Sequence, residues 1–100
     1  MSTTIKSFKD LRVWQISESI CLSVYQVTST FPKEEVFGLI SQMRRAAVSL
    51  PSNIAEGFGR RSAREKEQFY RHALGSLFEL EAQIGISKKQ TTFLAFWKQS

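Results

Sequence analysis

The sequence contains a single cysteine, Cys21, and a single histidine, His72. One cysteine excludes an internal disulfide and a cysteine-clustered zinc site. One histidine leaves little material for nucleophilic or acid–base catalysis, and neither a Walker A loop nor a dinucleotide-binding glycine pattern is present. We therefore predict a protein without catalytic activity, cofactor, metal site or small-molecule substrate, in which Cys21 and His72 are structural.

Long apolar runs are also missing. No stretch approaches the roughly 18 apolar residues of a membrane span, and residues 1–14 lack the basic start and apolar core of an export signal. A cytoplasmic protein without membrane contact is expected. With 42% hydrophobic and 23% charged residues, the 100-residue chain is expected to fold as one domain over residues 1–100.

Only two prolines and five glycines interrupt the chain, and apolar residues recur at spacings of three and four in three long segments. These spacings predict helices over about residues 10–29, 32–57 and 62–86. The first helix is expected to bury one apolar face, formed by Val13, Ile16, Ile20, Val24, Val27 and Phe31.

Local signals set the predicted helix ends. Asp10 is a candidate N-cap of the first helix, and Ser62 with Glu65 fits a capping box at the start of the third. Gly57 is expected to end the second helix in a left-handed conformation, while Pro51 should kink that helix or split it.

After residue 86 the helical pattern weakens. Residues 85–90 are typical of a polar turn, and residues 92–98 allow about two turns of apolar helix that contain Phe93, Leu94, Phe96 and Trp97. No segment has the alternation of a strand. The predicted fold is all-α, an up-down-up-down helical bundle with a short or truncated fourth helix.

Two of the predicted helices carry unusual outer faces. The third has apolar residues opposite its core face, and the second has mostly small ones where lysine and glutamate are usual. We interpret these faces as a subunit interface of a homo-oligomer, formed by Ser41, Val48, Ser52, Leu74, Phe78 and Ala82. The alternative is that Leu74 and Phe78 pack against the C-terminal segment of the same chain.

Basic residues outnumber acidic ones by 14 to 9, giving a net charge of +5. Arginine pairs with phosphate through two parallel hydrogen bonds, and a helix N-terminus also favours anions. The candidate contacts to RNA or DNA are Arg44, Arg45, Arg60, Arg61, Arg64 and Arg71. In an adaptor that binds only proteins, the same arginines would meet an acidic partner.

Several motifs together are similar to those of the 23S rRNA intervening-sequence proteins, a family of four-helix bundles. They are FKDLRVWQ at 8–15, FPKEE at 31–35 with Gly38 and Leu39, QMRRAAVS at 42–49, NIAEG at 53–57, and GS at 75–76 with ELE at 79–81. The resemblance covers about residues 8–83, and the block from 42 to 57 is its most distinctive part.

This resemblance implies a small, noncatalytic, cytoplasmic bundle of bacterial origin, encoded within an insertion in a large-subunit rRNA gene. A similar relative, the accessory variability determinant of diversity-generating retroelements, implies a homopentamer whose basic surfaces bind nucleic acid and a reverse transcriptase. The sequence departs from the family after Gln83, where a long fourth helix is usual. The short tail is either an abbreviated fourth helix or the product of a disrupted reading frame.

Overall fold

We describe the protein from a computed structural model, which covers the backbone of residues 4–99 and the side chains of residues 4–32 and 38–89. A short 3-10 helix at Phe8–Asp10 precedes three α-helices: α1, Arg12–Thr28; α2, Lys33–Phe58; and α3, Ala63–Gln99. No strand occurs within residues 4–99, so the all-α prediction is confirmed.

The start of α1 differs from the prediction. Asp10 does not cap α1; it closes a capping box around the 3-10 helix, where its carboxylate accepts the backbone N–H groups of Lys6 and Ser7 at 2.9 and 3.1 Å. Leu11 then occupies the N-cap of α1 without a side-chain hydrogen bond. The Asp10 carboxylate, which the sequence predicts as the cap of α1, caps the preceding 3-10 helix instead.

The core lies along α2, where α1 and α3 pack against it, and one buried cluster contains residues of all three helices. α1 and α3 each pack along α2, but within the described chain no Cα of α1 comes within 8 Å of a Cα of α3. Two clusters of buried side chains result: Val24, Met43, Ala46, Ala47 and Leu80 in one, and Leu50, Ile54 and Ala73 in the other. α2 is therefore the central element, and α1 and α3 are separate flanks.

The C-terminal part of the chain differs from the prediction of a turn and a short fourth helix. α3 runs unbroken to Gln99, so the structure has neither the turn predicted over residues 85–90 nor a separate fourth helix within residues 4–99. The segment holds no proline, and its lysines and glutamine are good helix formers. The one glycine, Gly85, costs a helix only about 1 kcal/mol, which is too little to force a turn.

The middle of α2 tolerates its proline. The helix continues through Pro51 from Lys33 to Phe58 and is not split there. Gly57 also lies inside α2 with negative φ, so the predicted left-handed cap is wrong. A Cβ on Gly57 would lie 2.7 Å from Cε1 of Tyr70 and 3.1 Å from Cβ of Phe69. Glycine is needed here because α2 and α3 approach closely, not because the backbone turns.

Candidate nucleic-acid interface and subunit surfaces

The turn between α2 and α3 is built by short-range hydrogen bonds. The Ser62 hydroxyl accepts the backbone N–H of Glu65 at 3.1 Å, which is one half of the predicted capping box, and it donates to the Glu65 carboxylate at 3.1 Å. The Lys66 ammonium donates to the carbonyls of Gly57 and Phe58, at 3.3 and 2.9 Å. Lys66 thereby satisfies orphan carbonyls at the end of α2 and holds the turn against α3.

Arg60 is tied into this turn. Its guanidinium pairs with the Glu56 carboxylate at 2.8 Å and lies over the Phe69 ring, 4.7 Å from the centroid. Its Nε is buried without a hydrogen-bond partner within the described residues. Arg60 is thus a structural contact between α2 and α3 as well as a positive charge.

Arg61 and Arg64 differ from their neighbours. Both side chains are exposed, and no carboxylate pairs with either among the side chains that the structure describes. Arg71, by contrast, forms an exposed ion pair with Glu67 at 2.7 Å one turn further along α3. The available positive charge at this end of the molecule is therefore concentrated on Arg61 and Arg64.

Arg44 and Arg45 form a second, separate group, about 20 Å along α2 from the turn. The Arg44 Nε donates to the Thr28 hydroxyl at 2.9 Å, and its guanidinium lies 4.8 Å from the centroid of Tyr25. Arg45 is exposed beside it, and both line a shallow cavity with Tyr25. The structure does not join the six predicted arginines into one patch.

The predicted interface residues lie on two different surfaces. Ser41 and Val48 line the cavity beside Tyr25, on the side of α2 next to α1, and Ser52 is exposed one turn after Val48. Leu74, Phe78 and Ala82 are exposed on α3 instead, Leu74 by 49% and Phe78 by 59%. Because α3 continues straight past residue 85, the C-terminal segment does not fold back over Leu74 and Phe78.

A long apolar groove lies between α1 and α3. Met43, Leu50 and Ile54 of α2 form its floor, and the groove consists of two cavities of about 940 and 310 Å³. Its walls are lined by Val13, Ile16, Ile20, Val24, Val27, Tyr70, Leu74, Leu77 and Ile84. We call this surface the α1–α3 groove.

The apolar face predicted to be buried on α1 is only partly buried. Val24 is buried, but Val13, Ile16 and Val27 are 57%, 51% and 53% exposed. Periodicity correctly identifies the apolar face, but it does not show that one neighbour is missing from it.

Cys21 and His72 show no catalytic arrangement. The pKa of the Cys21 thiol is raised, because the side chain is half-buried and Glu18 lies nearby. His72 is exposed and meets the Phe69 ring edge to face. No group of three or more His, Cys, Asp or Glu side chains among the described residues could hold a metal ion.

The structure defines a helical protein built around a central α2, with separate basic groups and exposed apolar surfaces. A family model for the 23S rRNA-intervening sequence proteins matches residues 9–94. The chain therefore belongs to that family. No curated protein matches the sequence. Within the described residues, no helix has the length and apolar character needed to cross a membrane.

Proposed function

We propose that this protein is a noncatalytic, homo-oligomeric helical bundle that binds RNA or DNA through its basic turn. The observation that carries the proposal is the pair of exposed arginines, Arg61 and Arg64, which have no carboxylate partner among the described side chains. Arginines held by acids contribute less, since their charge is already compensated. Arg61 lies just before α3 and Arg64 lies in its first turn, and arginines at a helix N-terminus are well suited to phosphate.

Assembly strengthens this electrostatic argument. A closed ring repeats each basic turn by symmetry, so a modest charge per chain becomes a large positive surface. Phosphate contacts release condensed counterions, and nucleic-acid affinity then falls steeply with salt. The proposed contacts are to phosphate, so we expect variants of them to weaken binding about equally for unrelated sequences.

The positions of the two candidate interface surfaces support a ring. A ring forms if the Val48 surface on α2 of each chain contacts only the Phe78 surface on α3 of the next, because that contact is heterologous. Heterologous interfaces generate closed rings when the rotation per subunit closes. We propose a homopentamer of four-helix character, located in the cytoplasm and related to the accessory variability determinant of diversity-generating retroelements.

Filter binding across a salt series tests the nucleic-acid proposal. The double variant Arg61→Gln/Arg64→Gln should bind unrelated RNA and DNA sequences more weakly, and the slope of log affinity against log salt should fall by about 1 per arginine. Lys88→Gln/Lys89→Gln removes equal charge from the far part of α3 and serves as the control. Absent or salt-insensitive binding by the parent protein would favour the adaptor without nucleic-acid binding.

Light scattering tests the assembly. Phe78→Asp places a charge in the proposed interface and should convert the oligomer to smaller species. Leu22→Asp is the matched control, because Leu22 on α1 is as exposed as Phe78, at 59%. An unchanged mass for Phe78→Asp removes the interface claim.

A further inference from the structure

We propose that residues 91–99 of a second copy of this chain lie in the α1–α3 groove and complete the bundle as its fourth helix. The groove excludes Val48 and Phe78 but shares Leu74 with the predicted ring interface, and the proposal does not depend on nucleic-acid binding.

The shape of the groove fits one helix. α1 and α3 both pack on α2 yet stay more than 8 Å apart, Cα to Cα, throughout the described residues. The lining is mainly apolar, although Ser19, Ser23, Ser87 and Lys88 also contribute, and most of the volume lies in the 940 Å³ cavity between Ile16 and Ile84. Burial of so much apolar surface favours an amphipathic helix as the occupant.

The chain cannot fill this groove with its own C-terminal segment while α3 is continuous. The hydrogen bond between Ser49 and Ser76 sets the antiparallel register of α2 and α3. In that register Lys33, the first residue of α2, lies opposite Thr92. Lys33 precedes Ser49 by the same number of residues as Thr92 follows Ser76. Residues 93–99 therefore extend about 10 Å past the start of α2, and a straight helix does not turn back into its own groove.

The projecting segment has the composition of a buried helix. Four of the seven residues 93–99 are large and apolar, namely Phe93, Leu94, Phe96 and Trp97. The α1 wall from Ile16 to Val27 is about 16 Å long, and residues 91–99 make a helix of about 13 Å. A helix from another subunit matches the groove in chemistry, and it is long enough to cover most of the part between Ile16 and Val27 but not the part beside Val13.

Disulfide trapping between two chains tests the proposal. In a Cys21→Ala background, one chain carries Ser23→Cys in the groove wall and a second, size-tagged chain carries Ala95→Cys in the projecting segment. Mixing the two under mild oxidation should give a mixed disulfide dimer on a non-reducing gel. Gln26→Cys is the control for Ser23→Cys, because it is exposed on the same helix but outside the groove.

Two outcomes would overturn the proposal. One is a chain carrying both Ser23→Cys and Ala95→Cys that links to itself at high dilution while the mixed chains stay unlinked. That result means that α3 breaks near Gly85 and folds back within one subunit. The other is the same low yield of mixed dimer for Ser23→Cys and Gln26→Cys, which means that no segment 91–99 enters the groove.

A second measurement separates this proposal from the ring interface. Ile16→Gln/Val27→Gln makes the groove wall polar, and the fold should tolerate it because both side chains are more than half exposed. We expect a smaller mass by light scattering. If this variant keeps the full mass while Phe78→Asp dissociates, the groove proposal fails and the ring interface stands. The reverse result retains the groove proposal and removes the ring interface.

Discussion

The hydroxyl of Ser76 on α3 donates a hydrogen bond to the hydroxyl of Ser49 on α2 at 2.8 Å. Ser76 is 8% exposed, and the Asn53 side-chain amide donates to the same Ser49 hydroxyl at 2.9 Å. Two small residues facing each other let the helices approach closely, and the hydrogen bond satisfies both polar groups in a partly dry contact. This pair fixes the register on which the projection of α3 depends.

Substitutions of Ser76 should therefore lower the free energy of unfolding, and a larger side chain should lower it more. Ser76→Ala removes the hydrogen bond and should lower the free energy of unfolding by about 1 kcal/mol. Ser76→Leu also overpacks the contact and should lower it by about 1–3 kcal/mol. Urea denaturation measures both, and Ser19→Ala on the exposed face of α1 is the control, with a change within about 0.5 kcal/mol. A leucine variant as stable as the parent contradicts the close contact.

Alanine substitutions at Gly57 and Gly75 should change the free energy of unfolding in opposite directions. At Gly57 an added Cβ meets the Tyr70 ring and the Phe69 Cβ, so Gly57→Ala should destabilise the fold by about 1–3 kcal/mol. At Gly75 no atom lies within 4 Å of an added Cβ, and Gly75→Ala should stabilise α3 by about 0.5–1 kcal/mol. Thermal or urea unfolding distinguishes the two, and equal effects would contradict the packing of α2 on α3 near Gly57.

The adjacent residues Arg44 and Arg45 should differ in how much they contribute to stability. Arg44 bonds the Thr28 hydroxyl and covers Tyr25, so Arg44→Ala should lower the free energy of unfolding by about 1–2 kcal/mol. Arg45 has no ion-pair partner among the described side chains, and Arg45→Ala should leave stability within about 0.5 kcal/mol. Urea denaturation alongside filter binding checks both. Equal stability losses would contradict the structural role of Arg44.

Periodicity and capping signals predict most of this fold. The three long helices fall near their predicted bounds, and Ser62 bonds Glu65 at the start of α3 as expected. These features depend on residues close in sequence, whose spacing shows directly which side chains share a face. Asp10 caps the 3-10 helix and not α1, because Ser7 is the N-cap of a 3-10 helix that begins just before α1.

Features that depend on a neighbour were not predictable in the same way. The apolar face of α1 is real, but periodicity does not tell whether Val13 and Ile16 meet another helix of the chain or an open groove. Likewise, Glu56 lies four residues before Arg60, a spacing that allows an ion pair on a helix, and the structure shows that this pair forms. The turn expected at Gly85 was wrong because one glycine among helix formers is a weak signal.

Cys21 provides a chemical probe of α1 packing. Burial raises the pKa of the Cys21 thiol, and the negative charge of Glu18 raises it further, because both disfavour the thiolate. Only the thiolate reacts with iodoacetamide, so at pH 8 the native protein should react more slowly than the urea-unfolded chain. The rate of alkylation of the native protein should rise about tenfold per pH unit until the pH reaches the thiol pKa. The midpoint of this rise should lie at a higher pH for the native protein than for the unfolded chain.

The contribution of Glu18 can be separated from that of burial. Glu18→Gln removes the charge and should lower the midpoint, whereas Glu81→Gln on α3 serves as a charge-matched control that leaves it unchanged. Because the folded chain holds the Cys21 proton to higher pH than the unfolded chain, stability should decline as pH rises above the unfolded thiol pKa. A native midpoint equal to the unfolded one would mean that Cys21 is fully solvated and that α1 does not pack on α2 at this position.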